Sequence, residues 1–181
     1  MADARTRISR YLSLHLRHQP ERLGLTLQPG GWVLVSDLLA ASAEHGVAIT
    51  RAELDEVVAT NDKQRFSFDE SGMRIRANQG HSVSVDLDLQ PREPPTVLYH
   101  GTGARSQAAI ERDGLRKMAR HHVHLSADQE TARRVGARHG QPVIFMVDTT
   151  AMRQDGHVFF QSANGVWLTD AVPARYLTLS A

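Results

Sequence analysis

The sequence predicts an α+β chain organised as two lobes, and three observations carry that prediction. Apolar residues recur at helical spacing through residues 6–58. A period-two hairpin pattern follows at 65–77, and beyond a proline-bearing stretch at 86–95 the pattern is mostly of short β-rich pieces. A chain of 181 residues makes one domain of ordinary size or two small lobes, and either buries roughly 70% of its unfolded surface.

In residues 6–18, Ile8, Tyr11, Leu12, His15 and Leu16 give a first helix one apolar face, and Pro20 lies just past its end. Gly30 and Gly31 mark a turn, 32–35 reads as extended, and Ser36 with Asp37 is expected to cap a second helix that stops before Gly46. Thr50 and Glu53 have the spacing of a capping box for a third helix, in which Leu54, Val57 and Val58 turn inward. Next, 65–69 and 73–77 are expected to pair across a turn holding Ser71 and Gly72. Strand alternation sends Phe66 and Phe68 to one face and Arg65 and Ser67 to the other, with Ile75 opposed to Arg74 and Arg76. Guanidiniums gathered on one face repel unless an anion or carboxylates such as Asp69 and Glu70 lie between them. Helices followed by a hairpin suggest a winged-helix-like lobe over residues 1–88.

Residues 86–95 are polar, carry Pro91, Pro94 and Pro95 and have no periodicity, which places the linker at 89–95. The second lobe, 96–181, opens with a strand at 97–99, then a helix at 104–113 stopped by Gly114 and a strand at 123–125. Ser126 with Gln129 is expected to cap a helix ending before Gly140. Strands at 143–148, 157–160, 165–169 and 176–179 complete it, divided by Gly, Pro and Asn turns.

Composition excludes several classes. Hydrophobic residues at 41% and charged residues at 23% are ordinary for a globular protein. The absence of cysteine rules out disulfides, thiolate zinc sites and a cysteine nucleophile, and it fits a reducing compartment, so a cytoplasmic location is expected. Residues 1–12 carry four charges and nothing like a signal core, and the longest strongly apolar run is 143–147, so neither export nor a membrane span is expected. A net charge of +1 argues against a general basic coat for nucleic acid. Yet 19 of the 21 basic residues are arginine, whose planar fork suits phosphate oxygens.

Four short stretches could carry chemistry. Arg17 and His18 stand at the end of the first helix, where the helix dipole favours cations. Residues 99–102, YHGT, follow a strand, and a turn at His100, Gly101 and Thr102 would let the backbone approach a sugar or phosphate, since glycine has no Cβ. In MARHHVHLS, 118–126, His122 and His124 alternate about Val123, but no carboxylate or cysteine stands at a recognised ligand spacing, so no metal is expected. Asn164 and Gly165 read as a hairpin turn.

Taken in order, LSLHLRH, GW with VSDLL, DKQRFSF, RANQGHS, LYHGT, GL with MARHHVHLS, and SANGVWLT resemble the blocks of the RNA 2′-phosphotransferase family, the tRNA 2′-phosphotransferases. The match spans nearly the whole chain, and the joint order of the blocks is what makes it specific. The resemblance implies a winged-helix lobe joined to an ADP-ribosyltransferase-like lobe. It also implies an NAD-consuming reaction on an internal RNA 2′-phosphate, such as a tRNA splice junction carries. A phosphate oxygen attacks the nicotinamide ribose carbon, nicotinamide leaves, and an ADP-ribosylated RNA phosphate results. A ribose hydroxyl then attacks that phosphorus, giving RNA with a free 2′-hydroxyl and ADP-ribose 1″,2″-cyclic phosphate.

By the same resemblance the family's Arg-His-Arg-Arg set falls on Arg17, His18, Arg65 and Arg120. The arginines would grip the phosphate and its transition state, and His18 would orient it, with a part in proton transfer left open. His100, Gly101 and Thr102 would contact NAD, His124 and Val166 would complete a His-His-hydrophobic set, and Ser126 and Asn164 would be further NAD contacts. Many protein-modifying ADP-ribosyltransferases carry glutamate at the place of Val166. A glutamate there would repel an incoming phosphate. Arg76, Gln79 and His81 would hold RNA or support the site. Residues 1–90 hold ten basic and twelve acidic side chains, so RNA contacts are expected to be short and local; separately, a monomer is expected. The nearest rival is an enzyme of the same fold that ADP-ribosylates terminal phosphates of RNA or DNA and stops there; a further one is a non-catalytic winged-helix module with an NAD-sensing second lobe.

Overall fold

The computed structural model describes residues 4–61 and 63–180. Asp62, first residue of the DKQRFSF block, lies outside the described residues, as do residues 1–3 and 181. The chain is α+β and divides into two compact units between Leu89 and Gln90.

In the first unit α1 (Ala4–Arg17) buries Leu12, His15 and Leu16. A short 3-10 turn, Pro20–Leu23, ends on Gly24 at φ 65°. β1 (Trp32–Leu34) runs straight into α2 (Val35–Glu44), and α3 (Arg51–Ala59) follows. β2 (Phe66–Phe68) and β3 (Arg74–Ala77) form the hairpin, and β1 adds to β3, giving an antiparallel sheet in the order β1-β3-β2. Leu12, Leu16, Leu38, Leu54, Phe66 and Ile75 meet in one core, where each fully buried side chain contributes about 1.5–3 kcal/mol.

The α3 capping box forms as its spacing predicts: Thr50 N donates to Glu53 Oε2 at 2.8 Å and Glu53 N to Thr50 Oγ1 at 3.2 Å. The expected cap of α2 does not. The helix begins at Val35, whose amide donates to the Met73 carbonyl at 2.8 Å, while Ser36 Oγ donates to Asp37. Because β1 is paired with β3 up to Leu34, the first amide of α2 already has a backbone partner and needs no side chain.

The second unit begins with β4 (Val97–Gly103), a 3-10 turn at Ala104–Ser106 and α4 (Gln107–Asp113), stopped by Gly114 at φ 75°. β5 (Leu115–Arg116), β6 (Val123–Leu125), α5 (Gln129–Gly136) and β7 (Pro142–Asp148) come next. Then follow α6 (Thr149–Gln154), β8 (Phe160–Gln161), β9 (Trp167–Thr169), β10 (Ala171–Val172) and β11 (Leu177–Leu179). Among the described residues these strands make two three-stranded sheets, β11-β7-β4 and β6-β9-β8, and the pair β10-β5, all antiparallel. Leu98, Leu125, Val147, Met152, Phe159 and Trp167 share the core of this unit.

Two caps in this unit differ from expectation. Asp128, not Ser126, caps α5, its Oδ1 accepting from Thr131 N at 2.7 Å, because both main-chain groups of Ser126 are bonded to Tyr99. α6 has no counterpart in the sequence reading; Asp148 at the end of β7 caps it through Ala151 N at 2.9 Å. Residues 86–95 hold no helix and are tied down at both ends. The Asp86 carbonyl accepts from Gly30 N and Leu87 is buried in the first unit, while Arg92 N donates to Phe159 O in the second. No helix among the described residues is long and apolar enough to cross a membrane.

Candidate active site

In the first unit the end of α1 meets the start of β2. The Arg17 guanidinium donates to the Arg65 carbonyl at 3.4 Å and lies 5.8 Å from the centre of the Phe66 ring. That carbonyl also accepts from Asn78 N at 2.8 Å, and the Arg65 guanidinium donates to Asn61 Oδ1 at 3.1 Å. Just past the helix, His18 Nδ1 lies 2.9 Å from Ser82 Oγ, and the Ser82 amide donates to the Arg17 carbonyl at 2.9 Å. Arg17, His18 and Arg65 are thus brought together, Arg17 held by a main-chain carbonyl and the side chains of His18 and Arg65 by those of Ser82 and Asn61. Asn78 continues the arrangement by accepting from Ser67 Oγ at 2.8 Å and donating to the Gln64 carbonyl. Ser82 and Asn78 escaped the sequence reading as individual site residues, although both lie in its RANQGHS block, residues 76–82.

The remaining candidates here divide. Arg76 lies with its guanidinium 4.5 Å from the Trp32 ring centre and donates to the Gly30 carbonyl at 3.3 Å. Burial lowers its pKa, and the charge of Asp88 opposes that. His81 is 1% exposed, with Gly31 against its ring, so it sits beneath the surface in a supporting place. Gln79 is half-buried beside Asn78. Arg74, also on the polar face of the hairpin, is engaged by Asp69: the carboxylate accepts from the Arg74 amide at 3.0 Å and from Nε at 2.9 Å. These bonds, the amide's first, and that of Ser71 hold the Asp69 pKa down to about 2.

In the second unit the two three-stranded sheets meet at one place, where Tyr99 and Ser126 exchange main-chain hydrogen bonds of 2.9 and 2.8 Å. Beside that bridge His100 Nδ1 lies 3.2 Å from the His124 carbonyl. A carbonyl only accepts, so Nδ1 carries the proton. Burial pushes the His100 pKa below 6.5; the His124 carbonyl opposes this, and the charges of Arg120 and His139 add to it. The ring is therefore neutral at pH 7 with Nε2 as an acceptor. The Arg120 guanidinium donates to His124 Nδ1 at 3.1 Å, which leaves the His124 ring proton on Nε2. Arg120, His100 and His124 form one network, and His139, which the sequence reading did not single out, acts electrostatically on His100.

Val166 stands one step before β9, whose register sets Leu125 against Trp167, so it comes opposite Ser126. Its amide and carbonyl are held by Ser162 at 3.1 and 2.9 Å, and Ser162 Oγ also donates to Asn164 Oδ1 at 2.7 Å. The Asn164-Gly165 turn forms between β8 and β9 with Gly165 at φ 78°. Gly101 corrects the sequence reading. Residues 99–102 make no turn; they lie inside β4, where Gly101 pairs with Ile144 and Thr102 with Val143. A Cβ on Gly101 would overlap the main-chain carbonyl of Ala132 in α5, so the missing side chain makes room for a helix on that side. Gly136 is its counterpart, since a Cβ there would stand 2.8 Å from the Thr102 carbonyl. Among the described residues no three His, Asp or Glu side chains gather as a metal site would require.

A family described as "RNA 2′-phosphotransferase, Tpt1 / KptA family" matches residues 3–171. A "Probable RNA 2′-phosphotransferase" of Streptomyces griseus is 62% identical, the alignment covering 99% of both chains. Proteins of the same printed name from Trichormus variabilis and Burkholderia pseudomallei are 63% and 52% identical, covering 98% and 95% of this chain and 98% and 94% of their own. On a match of that extent, with the blocks read from the sequence pointing the same way, the chain belongs to the Tpt1/KptA family of RNA 2′-phosphotransferases.

Proposed function

We propose that this protein moves an internal 2′-phosphate of RNA onto NAD, releasing nicotinamide and ADP-ribose 1″,2″-cyclic phosphate, and that it works in the cytoplasm on a tRNA-like substrate. The observation that carries the reading is the gathering of Arg17, His18 and Arg65 in a chain of this family. A phosphate needs no side chain to deprotonate it before it attacks. What it needs is fixed positive donors where charge builds up in the phosphoryl transition state. Guanidiniums held in place by fixed acceptors, Arg17 by the Arg65 carbonyl and Arg65 by Asn61, are such donors, because they have less to reorganise during the reaction.

NAD fits the second unit on one chemical ground. A neutral His100 with its Nδ1 proton committed to the His124 carbonyl offers Nε2 as an acceptor, which suits the hydroxyl of a ribose. When bound, NAD supplies a ribose carbon from which nicotinamide can depart. Around it Thr102, His124, Ser126, Asn164 and Val166 would form the binding surface, and Gly101 would act by letting α5 close on β4. Val166 introduces no negative charge where a phosphate must approach. Arg120 would lend its charge to the same reaction while orienting His124.

The test is incubation of the purified protein with NAD and an RNA carrying one internal 2′-phosphate, followed by product masses. The reading expects loss of the phosphate from RNA together with the cyclic phosphate product. An ADP-ribose adduct that persists on RNA would favour transfer to phosphate ends instead, and no release of nicotinamide would reject an enzyme of either kind.

A further inference from the structure

The polar face of the β1-β3-β2 sheet carries a row of flat side chains. Trp32 on β1 and Ser67 on β2 both stand opposite Arg76 on β3. Arg76 lies over the indole at 4.5 Å and Arg74 over the same ring at 5.5 Å, while Arg74 is also held by Asp69. Two neighbouring guanidiniums would repel each other, and here the π-face of Trp32 and one carboxylate keep them together. Trp32, Arg74 and Arg76 are all half-buried, so each presents some surface to solvent, and Leu34 beside Arg74 is 38% exposed.

The same face leads to the candidate catalytic arginines. Ser67 is bonded to Asn78, and Asn78 to the Arg65 carbonyl that Arg17 also reaches. Arg65 precedes Ser67 by two residues, a step of about 6.8 Å along a strand, and Arg76 and Trp32 lie one and two strands across from Ser67 at about 4.8 Å each, which puts Arg76 roughly 8 Å and Trp32 roughly 12 Å from Arg65 along the sheet, within the span of two adjoining nucleotides. Indole and guanidinium planes are the surfaces on which an unpaired base stacks, and arginine also attracts its phosphate.

We infer that this sheet face is a subsite for the RNA nucleotide adjoining the phosphorylated one, with its base stacked on Trp32 and Arg76 and its phosphate attracted by Arg74. The inference rests on the RNA reading above and adds the place and chemistry of a second contact. A one-nucleotide subsite also accords with a half of the chain that is not basic overall.

Two measurements on the full chain test it. In the first, tryptophan emission is titrated with a short unmodified oligoribonucleotide in the absence of NAD. Trp167 is buried in the second unit, so quenching that disappears in Trp32→Leu reports stacking on Trp32, and quenching that persists in that variant overturns the proposal. In the second, kcat/KM is compared for a 2′-phosphorylated nucleotide alone and for the same nucleotide extended by one neighbour on either side. Trp32→Leu should lose on the order of tenfold on the substrate extended on one side, through KM, leave the unextended substrate unchanged, and be largely rescued by Trp32→Phe. Equal losses on all substrates would mean a structural role for Trp32 and would overturn the subsite, as would no loss on any. Should Trp32→Leu fail to fold, Leu34→Glu on the exposed end of the row decides by the same comparison. Absence of turnover in the unaltered protein would reject the enzymatic reading, whereas the titration, which needs neither NAD nor a 2′-phosphate, still decides the subsite.

Discussion

The Arg17 guanidinium donates to the main-chain carbonyl of Arg65 across 48 positions of sequence. Through this bond, and through Asn78 on the same carbonyl, the end of one helix and both strands of the hairpin are referred to a single atom. Displacing Arg65 in the chain would therefore displace Arg17, and the two cations behave as a unit.

Removing one guanidinium tests that unit. Arg65→Ala keeps the carbonyl that Arg17 uses and loses only the side chain, so the fold should survive. The expected outcome is a kcat lower by about 10²–10³, the loss typical of one fixed donor at a developing anion. NAD binding should be little changed, and ADP-ribosylated RNA should accumulate because the second step suffers more than the first. Single-turnover product masses check this for Arg65→Ala and for Arg120→Ala, the latter expected also to weaken NAD binding because Arg120 orients His124, and unaltered turnover in both would remove these arginines from the mechanism.

Ser82 is expected to be a positioning residue for His18. Its hydroxyl lies 2.9 Å from His18 Nδ1, while its amide independently holds the end of α1. Ser82→Ala breaks only the side-chain contact, worth about 1 kcal/mol and so roughly a fivefold fall in kcat. KM should hold steady, and Ser82→Thr, which keeps the hydroxyl, should restore kcat. A fall in stability with kcat unchanged would show that the serine merely anchors the helix.

What could be read from the sequence, and what could not, follows from how far each signal reaches. The α3 capping box, the hairpin with its Ser71-Gly72 turn and the Asn164-Gly165 turn are local, set by residues within a few positions of one another, and they form as read. The cap of α2 and that of α5 failed because partners distant in sequence, Met73 for Val35 and Tyr99 for Ser126, satisfied the amides first. Residues 99–102 were misread for the same reason. A glycine that gives way to a ligand and a glycine that gives way to a helix look alike until α5 is seen lying on β4. The candidate site was legible as blocks, while Ser82 and His139 became visible only once the chain had folded around their partners.

Gly101→Ala separates those two uses of glycine. Contact with the Ala132 carbonyl would force α5 off β4, a cost of about 1–3 kcal/mol or more for overpacking against backbone that cannot yield. Urea unfolding should therefore show a large loss of stability. A variant that keeps its stability and loses only NAD affinity would instead restore the ligand-approach reading.

The environment of His100 predicts a pH dependence with a definite sign. Its pKa is held below 6.5 in the folded chain, by burial above all and then by the positive Arg120, with the His124 carbonyl opposing. In the unfolded chain the ring titrates near the ordinary histidine value of about 6.5. As pH falls below that value the unfolded chain takes up a proton that the folded chain resists, so this residue's contribution to stability is complete above about pH 6.5 and is lost as pH falls through the folded value. Protonation also turns the Nε2 acceptor into a donor, so NAD affinity should weaken over the same acid range. His100→Gln does not titrate, and titrations shared with the unaltered protein, such as that of His122, cancel in a comparison. The difference in Tm between the two proteins should therefore narrow steadily as the buffer is taken from neutral to acid. A difference that stays constant with pH would show that His100 does not titrate differently in the folded and unfolded chain, and the neutral acceptor on which the NAD reading rests would have to be given up.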